Sequence, residues 1–330
     1  MDGIFNVLKP PGMTSHDVIG FLRRALHTKK IGHGGTLDPD AAGVLPVFAG
    51  SATRLLSYAV EGRKQYIAEF ILGEQRDTGD DSGAVVKTMP VPDFSEEELR
   101  TVLAQFIGPQ MQLPPMYSAI KINGQKLYQL ARQGIEVERE ARPIEIYKLE
   151  LLDYQRPQNS ESLPDLEVTE LEGSLPFKGE GDRVSGGRVS FTVAVECSKG
   201  TYIRVLGEDI ATALGTCGTM SFLLRTQVGP YLLNEAHTLQ EIAEAPEKCC
   251  AEPLSAVSHL PQLVLTAKQA ARISNGVRTT VRGAADGEVV LLGPDGQFIG
   301  IGKCSEEKVQ AEKIFERYEL RKENEQLVNQ

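Results

Sequence analysis

The stretch Ile31-Gly32-His33-Gly34-Gly35-Thr36-Leu37-Asp38-Pro39-Asp40-Ala41-Ala42-Gly43-Val44-Leu45-Pro46-Val47 sets a carboxylate in a loop with little conformational freedom. Gly32, Gly34 and Gly35 hold a tight backbone path that a Cβ would obstruct. Pro39 fixes its own φ and biases Asp38 towards an extended conformation. A carboxylate held this way can act as a nucleophile and form a covalent intermediate. The same residues admit a plainer reading, an Asx turn or a helix N-cap, the common fate of Asp before Pro. Asp77-Thr78-Gly79 looks like an aspartic-protease triplet, but no second Asp-Thr-Gly exists to complete a carboxylate dyad. Arg76 to Gly83 reads as a turn-rich acidic loop, and its acids do not meet the EF-hand spacing.

The elements that must position these groups belong to a chain of 330 residues. It is 41% hydrophobic and 24% charged, which excludes wholesale disorder. An acid at position 2 and the lack of an apolar h-region speak against a secretory signal. No apolar run approaches the roughly 20 residues of a spanning helix. The 5 cysteines are odd in number and form no CxxC pair, so neither a zinc site nor a disulfide framework is expected. A cytoplasmic, soluble protein without cofactor or metal is the expectation.

Net charge is −10, from 35 basic and 45 acidic residues, which taken alone opposes a nucleic-acid partner. The distribution points the other way. Val18–Leu37, Met116–Gln133 and Pro261–Ala285 contain no acid but carry lysines and arginines. Such segregation can build a positive face on an acidic protein, and phosphate binding answers to the local field.

Ser95-Glu96-Glu97-Glu98 forms a capping box ahead of Leu99, Val102, Leu103 and Phe106. Ser15 is expected to cap a helix with Val18, Leu22, Ala25 and Leu26 on one face. Leu206 to Leu214 is a third helix, closed by Gly215. Lys64 to Leu72 and Val189 to Val195 alternate as half-buried strands. Helices and strands do not alternate regularly, so the fold class is α+β with a mixed or antiparallel central sheet. Residues 1–252 are expected to form the larger domain, with an acidic insertion at 158–187 and a segment at about 116–141 that the resemblance given below makes thumb-like. Ala245 to Pro253 reads as a linker. A small β-rich module is expected over 259–318, with a hairpin turn at Pro294-Asp295-Gly296, followed by a charged tail at 319–330.

The Asp38 loop resembles the signature GHxGTLDPxAxGxLP of the bacterial TruB family of tRNA pseudouridine synthases. Further matches follow in family order. Lys9-Pro10-Pro11-Gly12-Met13-Thr14-Ser15 resembles its KPxGxTS motif, and Lys64-Gln65-Tyr66 the strand bearing its active-site tyrosine. Pro115 to Lys121 and Lys126 to Gly134 resemble its RNA-gripping thumb. Ser198 to Arg204 resembles its GTYIR strand, and Leu223-Leu224-Arg225-Thr226 with Val228-Gly229 its LRRTxVG segment, with Leu224 where many relatives carry Arg.

The resemblance implies a pseudouridine synthase fold with a C-terminal PUA-like β-domain. It implies isomerisation of a T-loop uridine in tRNA, at position 55 of the tRNA. Asp38 is implied as the nucleophile, with attack on the sugar, attack on the base, and elimination all open. Arg204 is implied as its ion-pair partner, which would oppose neutralisation of a desolvated carboxylate. As Thr-Tyr-Ile-Arg in a strand, Tyr202 and Arg204 would share a face. Tyr66 would stack on the target base and relay a proton, and Leu223 would be the wall on which the base rests. His33 would enter the RNA in place of the everted base, whose extrusion costs a few kcal/mol. Lys9, Lys121, Lys126, Tyr128 and Arg132 would bind the substrate. The partner is the T arm of tRNA, with no membrane and no obligatory protein partner, and the chain is expected to be a monomer. The rival reading is a non-catalytic protein that binds or folds tRNA.

Overall fold

A computed structural model describes residues 1–59, 62–122, 124–157 and 188–319. The 158–187 insertion and all of the tail past residue 319 lie outside them. The chain forms two compact units, one of Met1–Gly62 with Gln227–Gln330 and one of Arg63–Thr226.

The first unit opens with β1 (Gly3–Lys9), α1 (Ser15–Ala25), β2 (Ile31–His33) and β3 (Ala42–Ala49), followed by the short α2 (Leu56–Ala59). Thr14, not Ser15, caps α1, in a capping box with Asp17. Arg23 and Arg24 in the last turn suit the negative end of the helix dipole. The apolar face of α1, Val18, Ile19 and Leu22, packs on Phe5, Val7, Leu45 and Val47. Every residue of β3 is buried. It pairs antiparallel with β1 over seven residues and with β2 through Ile31, Gly32 and His33. A Cβ on Gly32 would lie 2.8 Å from Leu56 Cδ1, so a larger residue there would displace the end of the Leu56 side chain.

The second unit contains β4 (Lys64–Leu72), β5 (Glu74–Arg76), β6 (Val85–Thr88), α3 (Glu96–Ala104), β7 (Gly108–Gln112), β8 (Lys121–Ile122), β9 (Gln125–Lys126), α4 (Leu127–Ala131), β10 (Arg142–Gln155), β11 (Ser190–Cys197), α5 (Ile203–Ala213) and most of β12 (Gly218–Val228). Its strands run in the order β12-β4-β11-β10-β7, antiparallel from β4 to β7. Tyr66, Ala68 and Phe70 alternate inward as their period of two requires. Helix α5 begins at Ile203, so Tyr202 and Arg204 do not share a strand face; Tyr202 is the extended N-cap and Arg204 sits in the first turn. The Tyr-Ile-Arg-Val run has a strand-like composition, and its helical start is fixed by contacts distant in sequence, described below.

The chain returns to the first unit through β13 (Tyr231–Leu232), α6 (Leu239–Glu244), α7 (Pro246–Cys249) and β14 (Cys250–Ala251). The expected linker is therefore structured: β14 pairs with β1 through Ile4 and Phe5. Beyond it lie β15 (Gln262–Val264), α8 (Ala267–Ser274), β16 (Thr279–Thr280), β17 (Gly287–Leu292), β18 (Phe298–Ser305) and β19 (Lys308–Ile314). These strands make a five-stranded sheet of order β15-β17-β18-β19-β16, with β15 parallel to β17. This module has its own core around Ile273, Leu291 and Ile299. A second cluster joins Val290, Leu292 and Ile301 to Ile4, Val44, Phe48 and Leu55. Polar fasteners flank that cluster: Arg54 donates to the Ile314 carbonyl at 2.6 Å and the Tyr58 hydroxyl meets Glu312 at 3.1 Å. Among the described residues no helix is long and apolar enough to cross a membrane.

Candidate active site

In the first unit, three fastenings converge on the backbone either side of Asp38. Ser15, at the first position of α1 and buried, accepts from the Leu37 amide at 3.0 Å and donates to the Leu37 carbonyl at 3.1 Å. Gly12, in the left-handed region at φ 82°, donates its amide to the Pro39 carbonyl at 2.9 Å. Lys9 is fully buried, and its Nζ donates to the carbonyls of Pro10 at 2.8 Å, Pro39 at 2.8 Å and Ala41 at 2.6 Å. The resemblance implies Lys9 as a substrate-binding residue, whereas here its buried ammonium is taken up by the chain's own carbonyls. An ammonium without solvent finds its oxygens in the chain. The lysine, glycine and serine of the Lys9–Ser15 motif thus act together as a buttress for residues 37–41. Asp38 is half-buried, and strand β3 follows it, so it does not cap a helix. Gly35 takes φ 108°, and His33 ends β2 opposite Val47, fixing where the loop leaves the sheet.

In the second unit, Arg204 is 5% exposed and is held by two loops. Its Nη1 donates to the Thr78 carbonyl at 2.6 Å and its Nη2 to the Tyr117 carbonyl at 2.8 Å. Its Nε lies 3.7 Å from the Asp80 carboxylate. These oxygens offset the poor placement of a cation at the positive end of a helix. Asp80 is itself oriented by the Thr78 hydroxyl at 2.7 Å and the Ser82 amide at 3.2 Å. The acidic loop that resembled a protease triplet is thus a seat for Arg204. Tyr202 is fixed through its backbone: its amide donates to Gln112 Oε1 at 2.8 Å, and Gln112 Nε2 donates to its carbonyl at 3.1 Å.

Tyr66 and Leu223 are each 7% exposed, on β4 and β12. Lys126 and Arg132 flank the Tyr128 ring, 5.5 and 5.6 Å from its centroid, so these three predicted substrate-binding residues form one cation–aromatic group. Lys121 pairs with Lys126 across the β8–β9 hairpin and is exposed. Ser15, Gln112, Thr78 and Asp80 were not anticipated in these roles. The signal available for Asp80 was its loop, dense in Asp, Thr, Ser and Gly, where local side-chain hydrogen bonds are expected.

Residues 23–174 match the family model described as TruB family pseudouridylate synthase, N-terminal domain. Residues 204–266 match the tRNA pseudouridylate synthase B C-terminal domain, and 261–314 the C-terminal domain of pseudouridine synthase II TruB. The tRNA pseudouridine synthase B of Caldanaerobacter subterraneus subsp. tengcongensis is 41% identical over 96% of this chain and 99% of its own length. That of Moorella thermoacetica is 43% identical over 83% of this chain and 82% of its own. A solved Cbf5-Nop10-Gar1 complex aligns at 27% identity with a TM-score of 0.66, covering 97% of this chain and 87% of that one. The chain belongs to the TruB family.

Proposed function

We propose that this chain isomerises a uridine in the T loop of tRNA to pseudouridine, position 55 in tRNA numbering, with Asp38 as the nucleophile. Its class is that of its family, an isomerase acting on tRNA. In the reaction the bond from N1 of uracil to C1′ breaks, the base turns, and C5 bonds to C1′ while its proton moves to a base. No atoms are gained or lost, and no electron sink is needed. Arg204 would keep the Asp38 carboxylate ionised, since an opposite charge favours the charged form. Tyr66 would offer its ring to the everted base and its hydroxyl to the C5 proton. Leu223 would wall the base, and His33 would occupy the stack that it leaves. Lys121, Lys126, Tyr128 and Arg132 would grip the T arm, reading its shape. On this reading the protein works as a monomer beside its tRNA in the cytoplasm, without an obligatory protein partner.

The observation that carries the proposal is the convergence of Lys9, Gly12 and Ser15 on residues 37–41. A reactive carboxylate has to be held to within a fraction of an ångström to be useful. Asp38→Asn keeps the shape and removes the nucleophile. It should abolish pseudouridine formation, measured by tritium release from C5-labelled tRNA, with tRNA affinity within a few-fold of the parent. Full turnover by this variant would mean that another residue is the nucleophile, whereas no turnover by the native protein would leave the rival non-catalytic reading.

A further inference from the structure

Lys64 lies on β4 two residues before Tyr66, so the two side chains leave the same face of the sheet. Tyr66 is buried, whereas Lys64 keeps part of its surface in solvent. On β11 its register partner is Cys197, a buried thiol pushed up to about 11 by burial and therefore uncharged. The carboxylate of β11, Glu196, pairs with Gln65 in the register and so lies on the opposite face. It is engaged there by Arg63 at 2.6 Å and Gln65 at 3.3 Å. On β12, the strand on the other side of β4, Arg225 is 1% exposed. Helix α5 also packs on β4 and carries Arg204, Glu208 and Asp209; of these, Arg204 faces Asp80. None of the side-chain hydrogen bonds or ion pairs among the described residues takes in Lys64, and its ammonium feels the cations Arg225 and Lys199 with Cys197 opposing them.

We propose that Lys64 binds a phosphodiester of the RNA next to the everted uridine, with the sealed Arg225 adding a fixed positive charge behind it. This rests on the proposed function and names a further contact of the same site. Two residues of strand span about 6.6 Å, which suits one side chain on a base and the next on its flanking phosphate. A phosphate supplies negative charge to an ammonium that, among the described residues, no side-chain hydrogen bond or ion pair engages.

The contact carries its own signature. Burial first, then Arg225, lowers the Lys64 ammonium from 10.5 to about 8. A bound phosphate favours the charged form and raises it again. Affinity is then full below about pH 8 and falls as pH rises, because proton uptake must accompany binding. Binding of product tRNA, which cannot turn over, should weaken about threefold to fourfold between pH 7 and pH 8.5 in the native enzyme. Lys64→Arg should abolish that slope, since guanidinium stays charged. Lys64→Met should lose affinity at pH 7 and also lose the slope. A pH-independent native affinity, or a slope that survives in Lys64→Arg, would overturn the proposal. Failure of the functional reading is separate: it would appear as no pseudouridine formed by the native enzyme.

Discussion

The Asp38 loop and the Arg204 turn solve one problem with different means. In each, a polar side chain clamps a single residue through both its amide and its carbonyl, Ser15 on Leu37 and Gln112 on Tyr202. The proposed site residue close by, Asp38 or Arg204, then has little freedom. The two regions differ in what surrounds that clamp. Around Asp38 the remaining support is a cation, Lys9, aimed at carbonyls. Around Arg204 it is the reverse, carbonyls and a carboxylate aimed at the guanidinium itself. A loop that displays an anion is built on positive charge, and a turn that displays a cation is built on oxygen.

That contrast breaks most severely at Lys9. In Lys9→Met the carbonyls of Pro10 and Ala41 lose the Lys9 donor and that of Pro39 keeps only the Gly12 amide, and no water takes the place of the ammonium at a fully buried position. Orphaned buried acceptors cost about 1–3 kcal/mol each, so a loss of about 3 kcal/mol or more is expected in urea unfolding. Activity should fall with it, because the Asp38 backbone loses its support. Wild-type stability in Lys9→Met would show that the lysine is not a structural member of the loop.

Asp80→Asn is the milder test on the other side. Arg204 keeps its bonds to Thr78 and Tyr117 but loses the carboxylate 3.7 Å from Nε. Asn preserves volume and can still accept from Thr78. Turnover should fall about tenfold, as for a positioned charge shifted by a fraction of an ångström, while tRNA affinity stays within a few-fold. If tRNA affinity falls and turnover does not, Asp80 serves the RNA interface and not the arginine.

The two regions also differ in how readable they are. The Asp38 loop is legible because its determinants are local: glycines, Pro39 and the carboxylate lie within a few residues, and its buttress precedes it in one short motif. The capping residue of α1 was misplaced by one position. Thr14 and Ser15 are both competent caps, and only the fold shows that Ser15 is needed by Leu37. The Arg204 turn is assembled from residues 78–80, 112 and 117, far apart in sequence. Without Gln112 in view, Tyr202 to Val205 reads as strand. The Thr78–Asp80 loop reads as a mere acidic turn for the same reason, since its meaning depends on an arginine more than a hundred positions away. Strands β4 and β11 and the C-terminal hairpin β17–β18 followed directly from alternation and turn residues.

The smallest effects come from the clamps themselves, and they test whether the parallel is real. Ser15→Ala removes both bonds to Leu37 yet leaves the α1 cap intact, because Thr14 and Asp17 supply it. Gln112→Ala removes both bonds to Tyr202 and leaves the Arg204 contacts in place. Two neutral hydrogen bonds lost from a buried residue predict about 1–2 kcal/mol in each case. Loop slack should then appear as a severalfold drop in kcat with KM little changed if, as the proposed function has it, the clamped residues position the chemistry and do not grip RNA. Equal stability losses with equal kcat losses would make the clamps interchangeable devices. A kcat loss confined to Ser15→Ala would mean that Thr78, Tyr117 and Asp80 hold Arg204 well enough without the help of its neighbour, so that a cation ringed by oxygens needs less backbone restraint than a carboxylate on a loop.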